Sequence, residues 1–243
     1  RTANQPVIRV LLGNNDKASF RADGLKSIFV NGISTGNRRI NSIKLVNFDG
    51  QTKYSINNQK EKWFELPKNF NLVIKNNDSR GIWFENRRYA GELRVSASKR
   101  QLKIINYLKL EKYLQSVVGS EMPKEFPLAA LQAQAIAART YALQLLGKNE
   151  FYDLKSTEAS QVYLGLESET PKTNKAVKST SKLAIFYDGE LINAVFHSSS
   201  GGRTEDSGKV WKYQFPYLRS VIDYDKNSKK YRWSRSFSSK ELT

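Results

Sequence analysis

The sequence contains no cysteine. That absence removes disulfides, thiolate zinc sites and a cysteine nucleophile together. Histidine is almost missing as well: His197 stands alone, whereas a zinc site ordinarily draws three or four such ligands. The longest apolar stretches are broken by Gln, Arg or Lys, and none approaches the ~20 apolar residues that a membrane-spanning helix needs. The serine-rich run from Ser198 to Thr204 does not follow the G-x-S-x-G pattern of a nucleophile elbow, which argues against a serine hydrolase built on it. A glycine-rich phosphate loop is missing too. No cofactor is expected.

Acidic residues are scarce relative to basic ones. Forty Lys and Arg against 23 Asp and Glu leave a formal charge of +17. Such a field attracts polyanions and accelerates their association. Nucleic acid, anionic lipid and anionic cell-wall polymer all fit that charge. The basic residues are scattered along the chain rather than gathered in one arm. The 243 residues and 39% apolar content are enough for a real core, as one large domain or two small ones. The chain begins at Arg1 rather than Met, which reads as a trimmed sequence whose targeting segment has been removed.

Residues 1–106 read as mostly β. Val7 to Leu12 is an apolar run that stops at the turn cluster Gly13-Asn14-Asn15-Asp16. Ile28-Phe29-Val30 meets Asn31-Gly32, a hairpin signal. Ile43 to Val46 precedes a turn at Phe48-Asp49-Gly50, and Leu72-Val73-Ile74 ends at Asn76-Asn77-Asp78. Gly91 to Val95 alternates with period two, and Leu102 to Ile105 follows. The texture changes at Tyr107. Leu110, Leu114, Val117 and Val118 recur at helical spacing, and Gly119 reads as the helix stop. A second helix is expected from Pro127, with Leu128, Leu131, Ala135, Ala138, Ala142 and Leu145 on one stripe and Gly147-Lys148-Asn149 as its end. Its alanines allow another backbone to approach closely. Beyond residue 150 short strands return: Leu183 to Tyr187, a turn at Asp188-Gly189, then Leu191 to Phe196. The expected class is α+β: a β-rich N-terminal part, a central helical pair carrying a loop, then further strands.

The segment Gly119-Ser120-Glu121-Met122-Pro123 joins the two helices. Loops held by rigid elements often carry catalytic groups. Glu121 follows the negative end of a helix dipole, and partial burial there would raise its pKa from the ordinary value of about 4.3. A glycosidic general acid needs that rise. The plainer alternative is an exposed loop carboxylate. Glu125 is a rival that better suits the start of the second helix. Arg139 sits among alanines with no Asp or Glu anywhere in residues 126–149. Its partner is a distant carboxylate, a backbone carbonyl or a substrate. Ser198 to Thr204 is a hydroxyl- and glycine-rich turn after a strand, suited to hydrogen-bonding sugar.

The run from Glu111 to Pro123, with Ser-Glu-Met-Pro at its end, resembles the core signature of the stage II sporulation protein D family. The resemblance continues through Leu131 to Ala142, Gln161-Val162-Tyr163, Phe196 to Glu205 and Phe215-Pro216-Tyr217-Leu218, with Tyr89 to Leu93 as an opening strand. It covers roughly residues 85–225, so the expected division is a β-rich lead-in over 1–84 and a family domain over 85–243.

The resemblance implies an extracytoplasmic lytic transglycosylase acting on peptide-free peptidoglycan strands. It implies Glu121 as the catalytic acid, Arg139 in substrate binding or in orienting Glu121, and Tyr217 and Arg219 in substrate binding. Arg219 is the looser match, since Lys is expected there. Ser199, Ser200 and Thr204 are the hydroxyl candidates for sugar, and Trp211 and Tyr217 offer ring faces. The family name is also attached to amidase enhancers, which implies the alternative of a non-catalytic wall-binding protein with a cell-wall amidase as partner. Nucleic acid is not an expected partner. Some family members carry cysteines near Gln161 and bind zinc; here the preceding residue is Ser160, so no metal is expected.

Overall fold

The computed structural model describes residues 5–57, 62–98, 100–238 and 241, with the backbone alone at 23, 25 and 36–40. Arg1, the basis of the trimming expectation, lies outside them. The chain forms two compact units, Arg1–Ile185 and Phe186–Thr243.

The first unit is built on one large, mostly antiparallel sheet. Its strands include β1 (Val7–Asn15), β2 (Lys17–Val30), β3 (Ile33–Phe48), β4 (Gln51–Ile56), β5 (Phe64–Leu66) and β6 (Asn71–Asn76). After β7 (Ile82–Phe84) and β8 (Arg87–Tyr89) come β9 (Glu92–Ser98), β10 (Gln101–Lys109) and the short β11 (Leu154–Lys155). The order across the sheet is β11-β1-β10-β9-β6-β2-β3-β4-β5, with β7 and β8 attached to β2. β6 pairs with β9, and β1 with β10. Residue 84, the expected domain boundary, therefore falls inside a continuous sheet; the compact units divide at Ile185/Phe186.

The tight turns follow from local chemistry. Asn31 and Gly32 have φ of 50° and 81°, and Val30 pairs with Ile33. Asp49 and Gly50 have φ of 53° and 84°, and Phe48 pairs with Gln51. Two-residue hairpins of this type need positive φ at both central positions, which Asn, Asp and Gly tolerate. The turn expected at Gly13 to Asp16 is different. β1 runs on to Asn15, with a register shift between Leu11 and Gly13. The bulge lies at Leu12, and Gly13, Asn14 and Asn15 stay paired with β10 before the chain bends at Asp16.

Two helices follow the strands of this unit. α1 (Leu110–Glu121) follows β10 without a gap and buries Leu110, Leu114, Val117 and Val118. α2 (Leu128–Leu145) buries Leu131, Ala135, Ala138 and Ala142 completely. Leu128 and Leu145 pack partly buried on the same core. Pro127 occupies the cap position, one residue earlier than expected for the first turn. Gly147, with φ of 74°, follows the end of α2.

A third helix, α3 (Pro171–Ser179), escaped the sequence reading. Its signal is present: Thr170 caps Thr173, Thr173 answers back to the Thr170 backbone, and Pro171 starts the first turn. It buries Thr173, Ala176 and Val177.

The second unit is less regular. The strands expected over 183–187 and 191–196 shrink to β12 (Phe186–Tyr187) and β13 (Glu190–Leu191), around Asp188 and Gly189 at φ of 51° and 79°. The reason lies in the residues just before. The Leu183 carbonyl accepts from Arg139, and the Ile185 N–H donates to Thr140 Oγ1. That stretch is bound to α2 and is not free to extend the hairpin. A short helix, α4 (Ser207–Val210), and a bridge between Arg203 and Ile222 complete this unit.

Candidate functional site

Glu121 is the last residue of α1, one step earlier than the loop position expected for it. The Met122 N–H donates to the Val118 carbonyl at 3.2 Å, and Met122 itself is extended, so the helix ends directly after Glu121. Gly119 does not stop the helix; it lies within it. Its reason for being glycine is close approach. A Cβ at 119 would sit 2.0 Å from the Ser168 carbonyl oxygen, in a 3-10 turn over Gly165–Ser168. Since backbone cannot swing aside as a side chain can, Gly119→Ala is expected to destabilise the protein by about 2–3 kcal/mol. A urea melt with an unchanged midpoint would contradict this packing.

The Glu121 side chain is half-buried. Its Oε1 accepts the Val162 backbone N–H at 2.6 Å. The carboxyl pKa is raised above the ordinary value, mainly by burial and further by the nearby Glu158, while the Val162 N–H pulls the other way. Because Oε1 already receives an N–H, the proton of the neutral acid belongs on Oε2. A half-buried carboxyl that holds its proton longer than usual is suited to giving that proton away.

This raised pKa has a consequence for stability. Stability from the neutral carboxyl is fully present below the unfolded-state pKa and is lost as pH rises through the higher folded-state pKa. Glu121→Gln keeps an oxygen for the Val162 N–H and carries no charge at any pH. Its Tm is therefore expected to match wild type near pH 4 and to exceed it by about 1–3 °C at pH 8. Equal Tm values at both pH values in a thermal melt would show that burial does not penalise the ionised form.

Buried polar groups surround the segment that reaches Glu121. Gln161 is fully buried. It accepts from the Tyr113 hydroxyl at 3.1 Å and donates to the Ala138 carbonyl at 3.3 Å. The buried Tyr163 hydroxyl donates to Asn106 at 2.7 Å, and its ring packs between Tyr89 and Tyr113. Burial raises the pKa of Tyr113 well above its ordinary value, and the negative charge of Glu121 adds to the rise. Tyr141 on α2 is also raised by burial.

Arg139 has found both kinds of protein partner that its sequence left open. Its side chain is buried; Nε and Nη2 hold Glu111 at 2.8 and 2.9 Å. The remaining donors meet the carbonyls of Val177 and Leu183, both at 3.2 Å, and of Ala135 at 3.4 Å. Arg139 thus ties α2 to the start of α1, the end of α3 and the segment beyond it. Glu111 lies about 15 Å up the α1 axis from Glu121, at ~1.5 Å per residue. The geometry makes Arg139 a clamp within the protein and leaves it no donor for sugar.

The other candidates belong to the second unit. Ser199 Oγ donates to Asp225 Oδ2, which also accepts the N–H groups of Ser200 at 2.7 Å and Gly201 at 3.0 Å. Ser200 Oγ donates to Asp223 at 2.8 Å. The Ser199 hydroxyl, helped by these N–H groups, holds the Asp225 pKa below the usual carboxylate range. Thr204 pairs its N–H and Oγ1 with Val221 at 2.9 Å each. These hydroxyls, read as sugar ligands, hold their own turn together. Tyr217 packs its ring against Tyr187 and Phe215, and its hydroxyl accepts the Asn193 N–H at 3.1 Å. Arg219 and Trp211 are exposed.

Residues 98–187 match the family model described as SpoIID, stage II sporulation protein. This part of the chain belongs to the stage II sporulation protein D family. The match includes Glu121, Arg139 and Gln161, whereas Ser199, Ser200, Thr204, Tyr217 and Arg219 lie beyond it. Stage II sporulation protein D of Bacillus subtilis (strain 168) is 34% identical over 156 residues, covering 57% of this chain and 46% of that protein. The amidase enhancer of the same organism is 39% identical over 129 residues, covering 53% of this chain and 17% of its own length. An uncharacterized protein of Brachyspira hyodysenteriae is 32% identical over 157 residues, covering 63% of this chain and 43% of that one. The chain spans less than half the length of these relatives. No described helix is long and apolar enough to cross a membrane.

The zinc that some members bind does not fit the residues here. Ser160 and Val162 flank Gln161 and supply no thiolate. Among the described residues no group of three His, Cys, Asp or Glu is placed to hold a metal ion.

Proposed function

We propose that this protein is an extracytoplasmic lytic transglycosylase that cleaves peptidoglycan glycan strands, with Glu121 as its acid and base. The observation that carries the reading is the half-buried Glu121 carboxyl, raised in pKa and oriented by a backbone N–H. The bond to be broken joins C1 of N-acetylmuramic acid to O4 of N-acetylglucosamine. Glu121 Oε2 gives its proton to that oxygen as the C1–O4 bond breaks. The resulting carboxylate then takes the proton of the muramic 6-hydroxyl while O6 bonds to C1. The product is a 1,6-anhydro ring, and Glu121 ends protonated, ready for the next turnover.

The nucleophile is supplied by the substrate. A second carboxylate to activate water, as ordinary glycosidases require, has no task in this reaction. Glu158 fits this account as a charge that keeps Glu121 protonated. Removal of stem peptides exposes one carboxylate on each muramic residue, and the +17 chain attracts such a strand.

The similarity to a protein named amidase enhancer supports a second reading, in which the chain grips glycan and stimulates a cell-wall amidase. Incubating the protein with peptide-free strands, and separately with intact wall plus an added amidase, divides the two. Anhydro-ended fragments without amidase support cleavage. Peptide release that rises only with amidase present, equally for wild type and Glu121→Gln, supports the enhancer reading.

A further inference from the structure

We infer that Gln161 and Tyr113 are positioning residues that hold the Val162 N–H on Glu121 and thereby fix which carboxyl oxygen carries the catalytic proton. This rests on the reading of Glu121 as the acid, and it adds two residues to which no role has been given.

The geometry begins with a buried amide. A glutamine side chain has one acceptor end and one donor end, and both must be satisfied when it leaves water. Gln161 is fully buried. Its Oε1 receives the Tyr113 hydroxyl proton at 3.1 Å, and its Nε2 donates to the Ala138 carbonyl at 3.3 Å. One end is therefore fixed to α1 and the other to α2. Swapping the two ends would set the amide N–H₂ against the Tyr113 hydroxyl and the amide oxygen against a carbonyl. Only one orientation of Gln161 satisfies both helices.

The next residue inherits that placement. With Gln161 pinned behind it and Tyr163 pinned ahead through Asn106 at 2.7 Å, the backbone at Val162 is held from both sides. Its N–H reaches Glu121 Oε1 at 2.6 Å. The donor is a backbone group whose own side chain plays no part, so its position depends on the flanking anchors. Tyr113 lies on the same helix as Glu121, two turns or more before it. The helix that carries the acid thus also carries the residue that locates the acid's hydrogen-bond donor.

Three influences act on the ionisation of Glu121 at this place. Burial and the Glu158 charge favour the neutral acid, and the Val162 N–H favours the carboxylate. Tyr113 is neutral through the working pH range because burial raises its hydroxyl pKa, and Tyr141 nearby is raised likewise. Loosening the Gln161 anchor withdraws the N–H and leaves burial and Glu158 in place. The sign is then clear: the Glu121 pKa moves further up.

The test uses Tyr113→Phe, Gln161→Met and the double variant. Each single change strands a buried polar group, so each is expected to lower Tm. The double variant replaces both partners by apolar groups of similar size, and most of that stability should return. The ionisation of Glu121 is read directly by carbon-detected NMR of the labelled carboxyl through a pH titration, which needs no turnover. The expected result is a midpoint above wild type in all three variants, including the double variant with its recovered Tm. On peptide-free glycan strands kcat should fall about tenfold with little change in KM, and the alkaline limb of the pH profile should move up with the NMR midpoint. A midpoint that stays at the wild-type value while Tm falls would reduce the network to packing and overturn the inference. A midpoint that moves down would overturn it as well, since it would show the carboxylate better stabilised without the anchor than with it. If wild type itself cleaves nothing, the NMR arm still decides the positioning claim, and the catalytic reading fails separately.

Discussion

Glu121→Gln is expected to lose glycan cleavage by a factor of about 10²–10⁴ or more while keeping its fold. The glutamine is nearly isosteric and retains an oxygen for the Val162 N–H, which sits at 2.6 Å in the wild-type protein. What it lacks is an acidic proton on the other atom. Without that proton the leaving oxygen departs as an alkoxide, and no carboxylate remains to deprotonate the muramic 6-hydroxyl. Both halves of the reaction suffer from one substitution. KM should change little, because the substrate-facing shape and the helix end are preserved. Thermal melts at pH 4 and pH 8 accompany the assay, so a dead variant cannot be mistaken for an unfolded one.

Arg139→Met is expected to cost about 3–5 kcal/mol of stability, the range for breaking a buried ion pair by deleting one partner. The substitution strands the largely buried Glu111 carboxylate and withdraws donors from the carbonyls of Val177 and Leu183. Three helices lose a common tie. Arg139→Lys should recover only part of the loss, because an ammonium cannot reproduce the two-point grip on a carboxylate or reach three carbonyls together. Arg139→Met with Glu111→Leu should be more stable than Arg139→Met alone, since both members of the buried pair are then gone. Urea titration of the four proteins measures this. A contrary pattern, with Arg139→Lys fully stable and only KM raised, would return Arg139 to the substrate-binding role that the family resemblance implies.

Arg139 also shows where sequence reasoning runs out. Its isolation among alanines was legible, and it left the partner open among a distant carboxylate, a backbone carbonyl and a substrate. Which partner it takes depends on how α1 and α3 pack on α2, and no spacing within residues 126–149 encodes that. The hairpins at Asn31-Gly32 and Asp49-Gly50 were legible because positive φ at consecutive positions selects those residues. Both central helices were legible from their apolar stripes. Gly119 was legible as a special glycine but not as to why: its tight neighbour, Ser168, approaches from a turn far along the chain. The strands expected after residue 182 were misjudged because apolar β-formers there bind α2 through Arg139 and Thr140.

The same limit applies to the centre of the site. Glu121 could be singled out by its place where one helix gives way to the next. Its hydrogen-bond donor could not, because a backbone N–H carries no residue identity. The hydroxyl-rich turn at Ser199, Ser200 and Thr204 was read as open to sugar. Its composition did not reveal that Asp223 and Asp225 take up the serine hydroxyls. Hydroxyls and amides describe what a segment can bind, and the fold decides whether the partner is internal.

The most direct measurement is mass spectrometry of purified peptide-free glycan strands after incubation with wild type and with Glu121→Gln. Fragments ending in 1,6-anhydromuramic acid from wild type, and intact strands from Glu121→Gln, are the predicted result. Equal yields of anhydro-ended fragments from both proteins, or intact strands from both, would contradict the assignment of Glu121 as the acid of a lytic transglycosylase.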